Sequence, residues 1–134
     1  MTLDNLQRSE IVISKILQDL VETGLQDGVA LQFEDLDLDN GFEPFFVGCC
    51  RWLLDEGIVR CTNEHQVLKG MPMVNPVITA KGFALLGQPF AGSVEGNRVG
   101  DAVKEVATGN RNYAGVGDFF GGLLGGFTKS ISGG

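Results

Sequence analysis

The amino-acid sequence predicts a mainly helical α+β domain followed by a glycine-rich helical tail, and three features of the chain support this prediction. Residues 9–23 alternate apolar and polar side chains with the period of an amphipathic helix. Residues 42–60 hold a nearly continuous apolar run that ends in Asp-Glu-Gly. Residues 58–61 and 73–78 are strand-like. We therefore expect a domain over residues 1–88 and a separate tail over residues 89–134.

The charge of the chain is unevenly distributed. The chain of 134 residues has a net charge of −7. Residues 1–64 hold 4 basic and 13 acidic side chains, a net of −9, whereas the remainder holds 6 basic and 4 acidic, a net of +2. Non-specific binding to a phosphate backbone depends on Lys and Arg. The charge therefore argues against a nucleic-acid binder.

The cysteines and the N-terminus indicate a cytoplasmic protein. Cys49, Cys50 and Cys61 are an odd number, which favours buried, reduced thiols over a disulfide framework. Residues 1–10 show no signal-peptide pattern. A run of about 18 apolar residues, as a membrane span needs, is also missing from the sequence.

The first predicted helix covers residues 9–23, with Ser9 as its N-cap and Gly24 as its end. Its apolar face holds Ile13, Ile16, Leu17, Leu20 and Val21, and its polar face holds Lys15, Gln18, Asp19 and Glu22.

The segment 28–41 begins with a period-two pattern, typical of a short strand around residues 29–33. Asp35, Asp37 and Asp39 follow. Carboxylates at alternate positions suggest a calcium-binding loop. Such a loop needs Gly at position 40 and Glu at position 46, but this chain has Asn40 and Phe46 there, so it does not fit the pattern. We favour a solvated acidic linker that places negative charge before the next helix.

The second predicted helix, residues 43–56, is apolar nearly all round, which predicts that it is buried and that the domain is organised around it. Gly57 ends it, and a strand follows. Trp52 and the group Phe42, Phe45 and Phe46 are interpreted as core, with a ligand pocket as the alternative.

The strands at 58–61 and 73–78 are predicted to form a hairpin across a polar connection, residues 62–72. Thr79 then caps a last short helix that ends near Gly87. Cys61 and His65 are four residues apart, but they form neither a zinc-ligand set nor an oriented nucleophile–base pair. We expect no catalytic residue, metal or cofactor.

The tail is the most unusual part of the sequence. Residues 90–134 hold 12 of the 20 glycines, and a helix over residues 94–107 with Val99, Val103 and Val106 on one face is predicted there, apart from the core. Glycines then recur every fourth residue, which allows close approach of another helix. The predicted interface consists of Gly117, Phe119, Phe120, Gly121, Leu123, Leu124, Gly125 and Phe127.

A helix this rich in glycine is unstable alone, at about 0.8–1 kcal/mol per glycine relative to alanine. It must pack against its own domain, a second copy, a partner or a lipid surface. We rank self- or partner association first, a disordered tail second and membrane insertion third.

The order of elements resembles a winged helix-turn-helix domain over about residues 9–87. The segment PVITAKGFALL (76–86) is similar to the end of a wing and its following helix in small bacterial winged-helix proteins, and LLDEGIVR (53–60) resembles the end of a recognition helix. The resemblance implies DNA reading by residues 43–56, with residues 62–71 as the wing. Its candidate DNA contacts are Arg51, Arg60 and Lys69.

These observations favour a non-enzymatic interaction module that forms a homo-oligomer through its tail. One alternative is a dimeric DNA-binding transcriptional regulator. Another is an acidic inhibitor that mimics nucleic acid, which the net of −9 over residues 1–64 supports.

Overall fold

A computed structural model describes residues 4–87 and 98–107 of the chain. This part is mixed helix and strand and mainly helical, as predicted. Two 3₁₀ helices accompany the α-helices and strands. In chain order the elements are α1 Asn5–Thr23, β1 Ala30–Leu31, the 3₁₀ helices Phe33–Leu36 and Asn40–Phe45, α2 Phe46–Asp55, β2 Val59–Arg60, α3 Glu64–Val67, β3 Met73–Val74, β4 Val77–Ile78, α4 Ala80–Leu86 and α5 Val99–Ala107.

Helix α1 lies at the centre of the core. It packs against α2, α5, β4 and both 3₁₀ helices. Because neighbours surround it on several sides, residues Glu10 to Ser14 are all buried, together with Ile16, Leu17 and Leu20. The prediction that the domain is organised around the second helix is therefore wrong. Val21, predicted on the buried face, is 45% exposed.

Helix α1 begins one turn earlier than predicted. The Asp4 carboxylate accepts a hydrogen bond from Gln7 N at 2.8 Å, and the Gln7 side chain accepts one from Asp4 N at 3.0 Å. This capping box satisfies two amides of the first turn. Ser9 is consequently not the N-cap, and its hydroxyl donates to Asn5 O within the helix. Gly24, with φ of 70°, ends the helix as predicted.

Helix α2 is buried on one face only. Phe46, Cys49, Cys50 and Leu53 are buried, while Gly48, Arg51 and Asp55 are exposed. The prediction of burial nearly all round is wrong, because the described chain does not cover the side that holds Gly48. Gly57, with φ of 74°, ends this segment and β2 follows, as predicted.

The strands form two antiparallel pairs. β1 pairs with β3, with Ala30 opposite Val74, and β2 pairs with β4, with Val59 opposite Ile78. The predicted antiparallel pairing of the segments 58–61 and 73–78 is confirmed in the β2–β4 pair. The second segment is divided, however, and its first half pairs with β1.

The division lies at Asn75, which has φ of 51°. Its side-chain oxygen accepts hydrogen bonds from Gly28 N at 2.7 Å and Val29 N at 3.2 Å. Pro76 follows and has no N–H to continue a ladder. An asparagine tolerates this left-handed conformation better than most residues, so the strand breaks there.

The connection between β2 and β3 is more ordered than the predicted polar loop, since it holds α3 and buries Val67. Asn63 closes it, because its amide nitrogen donates to Pro72 O and its oxygen accepts from Val74 N, both at 2.8 Å. His65 is exposed on α3.

Two aspartates of the acidic segment accept hydrogen bonds from nearby backbone amides. Asp35 accepts from Gln32 N and Asp39 accepts from Gly41 N, each at 2.9 Å, at the starts of the two 3₁₀ helices. The observed strand β1, Ala30–Leu31, is shorter than the strand predicted around residues 29–33. Its alternation holds, because Leu31 and Phe33 are buried while Gln32 is exposed.

Helix α4 begins as predicted, with the Thr79 hydroxyl accepting a hydrogen bond from Gly82 N at 2.9 Å. Gly82 has a steric reason to be glycine. A Cβ added there would lie 2.7 Å from Ile78 Cγ2 and would also meet the backbone of Ile58.

Helix α5 packs against α1, and Val103, Val106 and Ala107 are buried. The expectation that residues 90–134 stay apart from the core is wrong for this helix. Residues 94–97 of the predicted helix and the whole predicted interface, residues 117–127, lie outside the described residues. Among the helices that are described, none is long and apolar enough to cross a membrane.

Candidate functional site

An open apolar groove lies between the N-terminal half of α1 and the start of α2. Leu6, Ser9 and Ile13 are spaced i, i+3 and i+7, so they share one face of α1. Phe45, Cys49 and Trp52 have a similar spacing on the opposing segment. The groove encloses about 420 Å³. It is lined by Leu6, Ser9, Ile13, Pro44, Phe45, Gly48, Cys49 and Trp52.

The floor of this α1–α2 groove is buried and its rim is open. Ile13 and Cys49 are 3% and 5% exposed, whereas Leu6 on the rim is 57% exposed. Phe45 and Trp52 are half-buried and pack against the core with one side. The lining carries no formally charged side chain. The arrangement therefore suits an apolar occupant.

Gly48 lies in the wall of the groove. A Cβ added there would meet no described atom within 4 Å outside its own stretch of helix, and the residue has helical backbone conformation. Glycine in a helix interior costs about 1 kcal/mol relative to alanine. Whereas Gly82 is required by the packing of its own chain, Gly48 is not. Its missing side chain widens the groove.

The Cys49 thiol connects the two walls, because it donates a hydrogen bond to Ser9 O at 3.5 Å. Burial raises the pKa of Cys49 to about 12 and that of Cys50 to about 12. The thiolate is the reactive form of cysteine, so neither thiol is a nucleophile at neutral pH. All three cysteines are free, as predicted, although Cys61 is only half-buried.

Glu10 is a buried acid that the sequence reasoning missed. It is 0% exposed, and neither carboxyl oxygen has a hydrogen-bond partner among the described residues. Burial first, and the nearby charge of Asp4 second, raise the pKa of Glu10 to about 7. Its spacing of three and seven residues from Ile13 and Leu17 was a signal that it shares their buried face.

An acidic hollow lies on the other side of α1, and its lining includes Asp19, Glu22, Asp35 and Asp37 together with Lys15 and Ala107. Burial, then Asp35 and Glu22, raise the pKa of Asp19. Nowhere in residues 4–87 and 98–107 do three or more His, Cys, Asp or Glu side chains form a group that would hold a metal ion. The hollow therefore gives no indication of a bound cation.

The predicted aromatic group divides between core and groove. Phe46 is buried against Phe33, with the ring centroids 6.0 Å apart and an edge-to-face arrangement. Phe42 is half-buried against the core. Phe45 and Trp52 pack against the core and also line the groove, so the interpretation as core is confirmed and the interpretation as a ligand pocket stays a prediction.

The candidate DNA contacts lie on separate elements. Arg51 is exposed on α2, Arg60 is exposed on β2, and Lys69 is exposed just after α3. Glu43 and Asp55 are also exposed near or on α2, and they offset the charge of Arg51. The exposed side chains of α2 and its start therefore carry no net positive charge.

Comparison with family models, curated proteins and solved structures finds no match for the chain. The resemblance to a winged-helix domain thus stays a prediction. The geometry of the site is that of an uncharged, open, apolar groove.

Proposed function

We propose that the chain is a non-enzymatic protein-interaction module that self-associates and uses the α1–α2 groove as its contact surface. The observation that carries the proposal is the open apolar groove itself, about 420 Å³ in volume, with Leu6 57% exposed on its rim.

The composition of the groove supports contact with protein. Energetically dominant interface residues are enriched in Trp and Tyr and lie in well-packed pockets. Trp52 and Phe45 offer such aromatic surface, and covering apolar surface releases about 25 cal/mol per Å². A partner that fills the groove would also cover Leu6.

The fold that presents the groove is proposed to be of winged-helix type. The order of α1, β1, the 3₁₀ helices, α2, β2, the α3 connection, β3 with β4, and α4 supports this proposal. The pairing of β1 with β3 and of β2 with β4 adds to it, since both bring the 73–78 segment beside an earlier strand.

Electrostatics favour a protein partner over DNA for this fold. Base and phosphate contacts need basic or amide side chains on the exposed face of the reading helix. Arg51 is the one basic residue of α2, and the net charge of the whole chain is −7. DNA reading by a dimer remains the alternative, and binding that weakens steeply with added salt would support it.

The proposal is tested with a substitution that fills the groove without disturbing the fold. Gly48→Leu adds a side chain into open space and replaces a poor helix former. Ala84→Leu, at an exposed position of α4 outside the groove, is the matched control.

Light scattering of the full-length proteins measures the outcome. We expect the parent and Ala84→Leu to form the same multimer, and Gly48→Leu to remain monomeric at the same concentration. A parent that is monomeric at every concentration would contradict self-association. A Gly48→Leu protein with the mass of the parent would show that the groove is not the contact.

A further inference from the structure

We infer that the α1–α2 groove receives residues 119–127 of a second copy of the chain, so that two copies exchange their C-terminal segments. This inference rests on the proposed function and names the occupant of the groove. Three features of the molecule support it, which are the chemistry of the groove, the open space at Gly48, and the place where α5 ends.

The segment and the groove match in chemistry. Residues 119–127 read FFGGLLGGF, so five large apolar side chains are separated by glycines alone. The groove lining likewise holds no formally charged side chain. An apolar side chain gains by leaving water for such a lining, whereas a charged peptide would lose its hydration there.

The glycines of both partners allow close approach. Small residues at a contact let two backbones come near each other, which strengthens van der Waals packing. Gly48 leaves the wall of α2 open, because no described atom outside its own stretch of helix lies within 4 Å of the position of its missing Cβ. Gly121 and Gly125 lie four residues apart in the segment and offer a matching surface.

The position of α5 favours a second copy over the same chain. Ala107, at the end of α5, borders the acidic hollow together with Lys15, Gln18 and Asp19 of α1. At 3.6 residues per turn, this face lies about 160° around α1 from the face of Leu6, Ser9 and Ile13. In the same chain, residues 108–118 would have to pass around α1 and the elements that cover it.

A second copy removes that obstacle. The 11 residues from 108 to 118 span at most about 40 Å when extended, which is enough to leave one protomer and reach another. If each copy donates its segment to the other, a two-fold axis relates two identical contacts, which closes the assembly at a dimer.

Trp52 provides a probe of the groove, because it is the single tryptophan of the chain and it lines the groove. Two full-length variants separate the two halves of the contact. The first, Leu123→Asp with Leu124→Asp, keeps the groove and its tryptophan but has a charged segment. The second, Gly48→Leu with Trp52→Phe, keeps the segment but has a filled groove and no tryptophan emission.

Each variant alone is expected to be monomeric, and the first is expected to emit at longer wavelength than the parent because water reaches Trp52. Mixing the two should form a 1:1 complex and return the emission toward the parental wavelength. A further variant of the segment, Gly121→Leu with Gly125→Leu, keeps the segment apolar. Like Leu123→Asp with Leu124→Asp, it should be monomeric and emit at longer wavelength than the parent. Far-ultraviolet circular dichroism checks that every variant folds.

Four results would overturn the inference. If the mixture stays monomeric while the parent is multimeric, the segment is not the occupant, although self-association stands. If the filled-groove variant associates as the parent does, the tails pack on each other. If the parent is monomeric yet its emission shifts in the charged-segment variant, the segment occupies the groove of its own chain. If the parent is monomeric and its emission is unchanged in the charged-segment variant, the segment does not occupy the groove at all. Either result with a monomeric parent removes the proposed self-association as well.

Discussion

Glu10 shows how one residue links burial to pH dependence. Its carboxyl is fully buried and has no hydrogen-bond partner in the part of the chain that the structure describes, an arrangement that favours the neutral acid. The pKa is raised from 4.5 to about 7, with burial as the larger cause and Asp4 as the smaller. The folded protein therefore holds this proton at pH values where the unfolded chain has released it.

The free energy of unfolding should fall as the pH rises from about 4.5 to 7. Below this window both states are protonated, and above it both are ionised, so the change is confined to it. The slope for one proton is about 1.4 kcal/mol per pH unit, which makes the total on the order of 3 kcal/mol. Urea unfolding of the parent and of Glu10→Gln measures this difference.

The Glu10→Gln protein should lose this dependence and be more stable than the parent at pH 8. Glu43→Gln, at an exposed position, is the control for the loss of one negative charge. Equal slopes for the parent and Glu10→Gln would contradict the assignment.

Gly48 and Gly82 are both helical glycines, but they should respond oppositely to alanine. Gly82→Ala places a Cβ against Ile78 and the Ile58 backbone and should destabilise the fold by about 1–3 kcal/mol. Gly48→Ala meets open space and should stabilise α2 by up to about 1 kcal/mol. Thermal unfolding of both variants, at a concentration where the protein is monomeric, gives the two signs, and a loss of stability in Gly48→Ala under that condition would contradict the open groove.

At the scale of elements, α5 packs into the core, although the sequence predicted that it stays apart from the core. Local sequence patterns predicted the ends of α1 and α2 and the N-cap of α4, because caps and helix ends depend on residues that are close in sequence. It did not predict which neighbour covers each face. The burial of residues Glu10 to Ser14 requires helices distant in sequence. The exposure of Gly48 and Arg51 on α2 likewise depends on the rest of the fold, because no helix of the described residues covers that side.

The contribution of α5 is tested by truncating its buried valines. Val103→Ala and Val106→Ala should each lower the free energy of unfolding by about 1–3 kcal/mol, since both side chains are 2–3% exposed. Val21→Ala, at a position 45% exposed, is the matched control and should change it by less than about 0.5 kcal/mol. Equal effects at Val103 and Val21 would contradict the packing of α5 on α1.

At the scale of the whole molecule, the sequence predicted the fold class and the main helices, but the groove was not among its predicted sites. Leu6 lies in the turn that the capping box at Asp4 adds to α1, outside the predicted helix. Phe45 and Trp52 were identified as an aromatic group, with a pocket as the alternative. Which of their sides stays uncovered depends on the angle between α1 and α2, which no local pattern determines.

We propose that the predicted tail interface and the α1–α2 groove are the two sides of one contact. An apolar segment of one protomer covers an apolar surface on another. Dilution of the full-length parent tests this most directly, with mass by light scattering and Trp52 emission recorded on the same samples. The account predicts that emission moves to longer wavelength as the mass falls to that of a monomer, with one common midpoint. A fall in mass without any change in emission would place the interface elsewhere and contradict it.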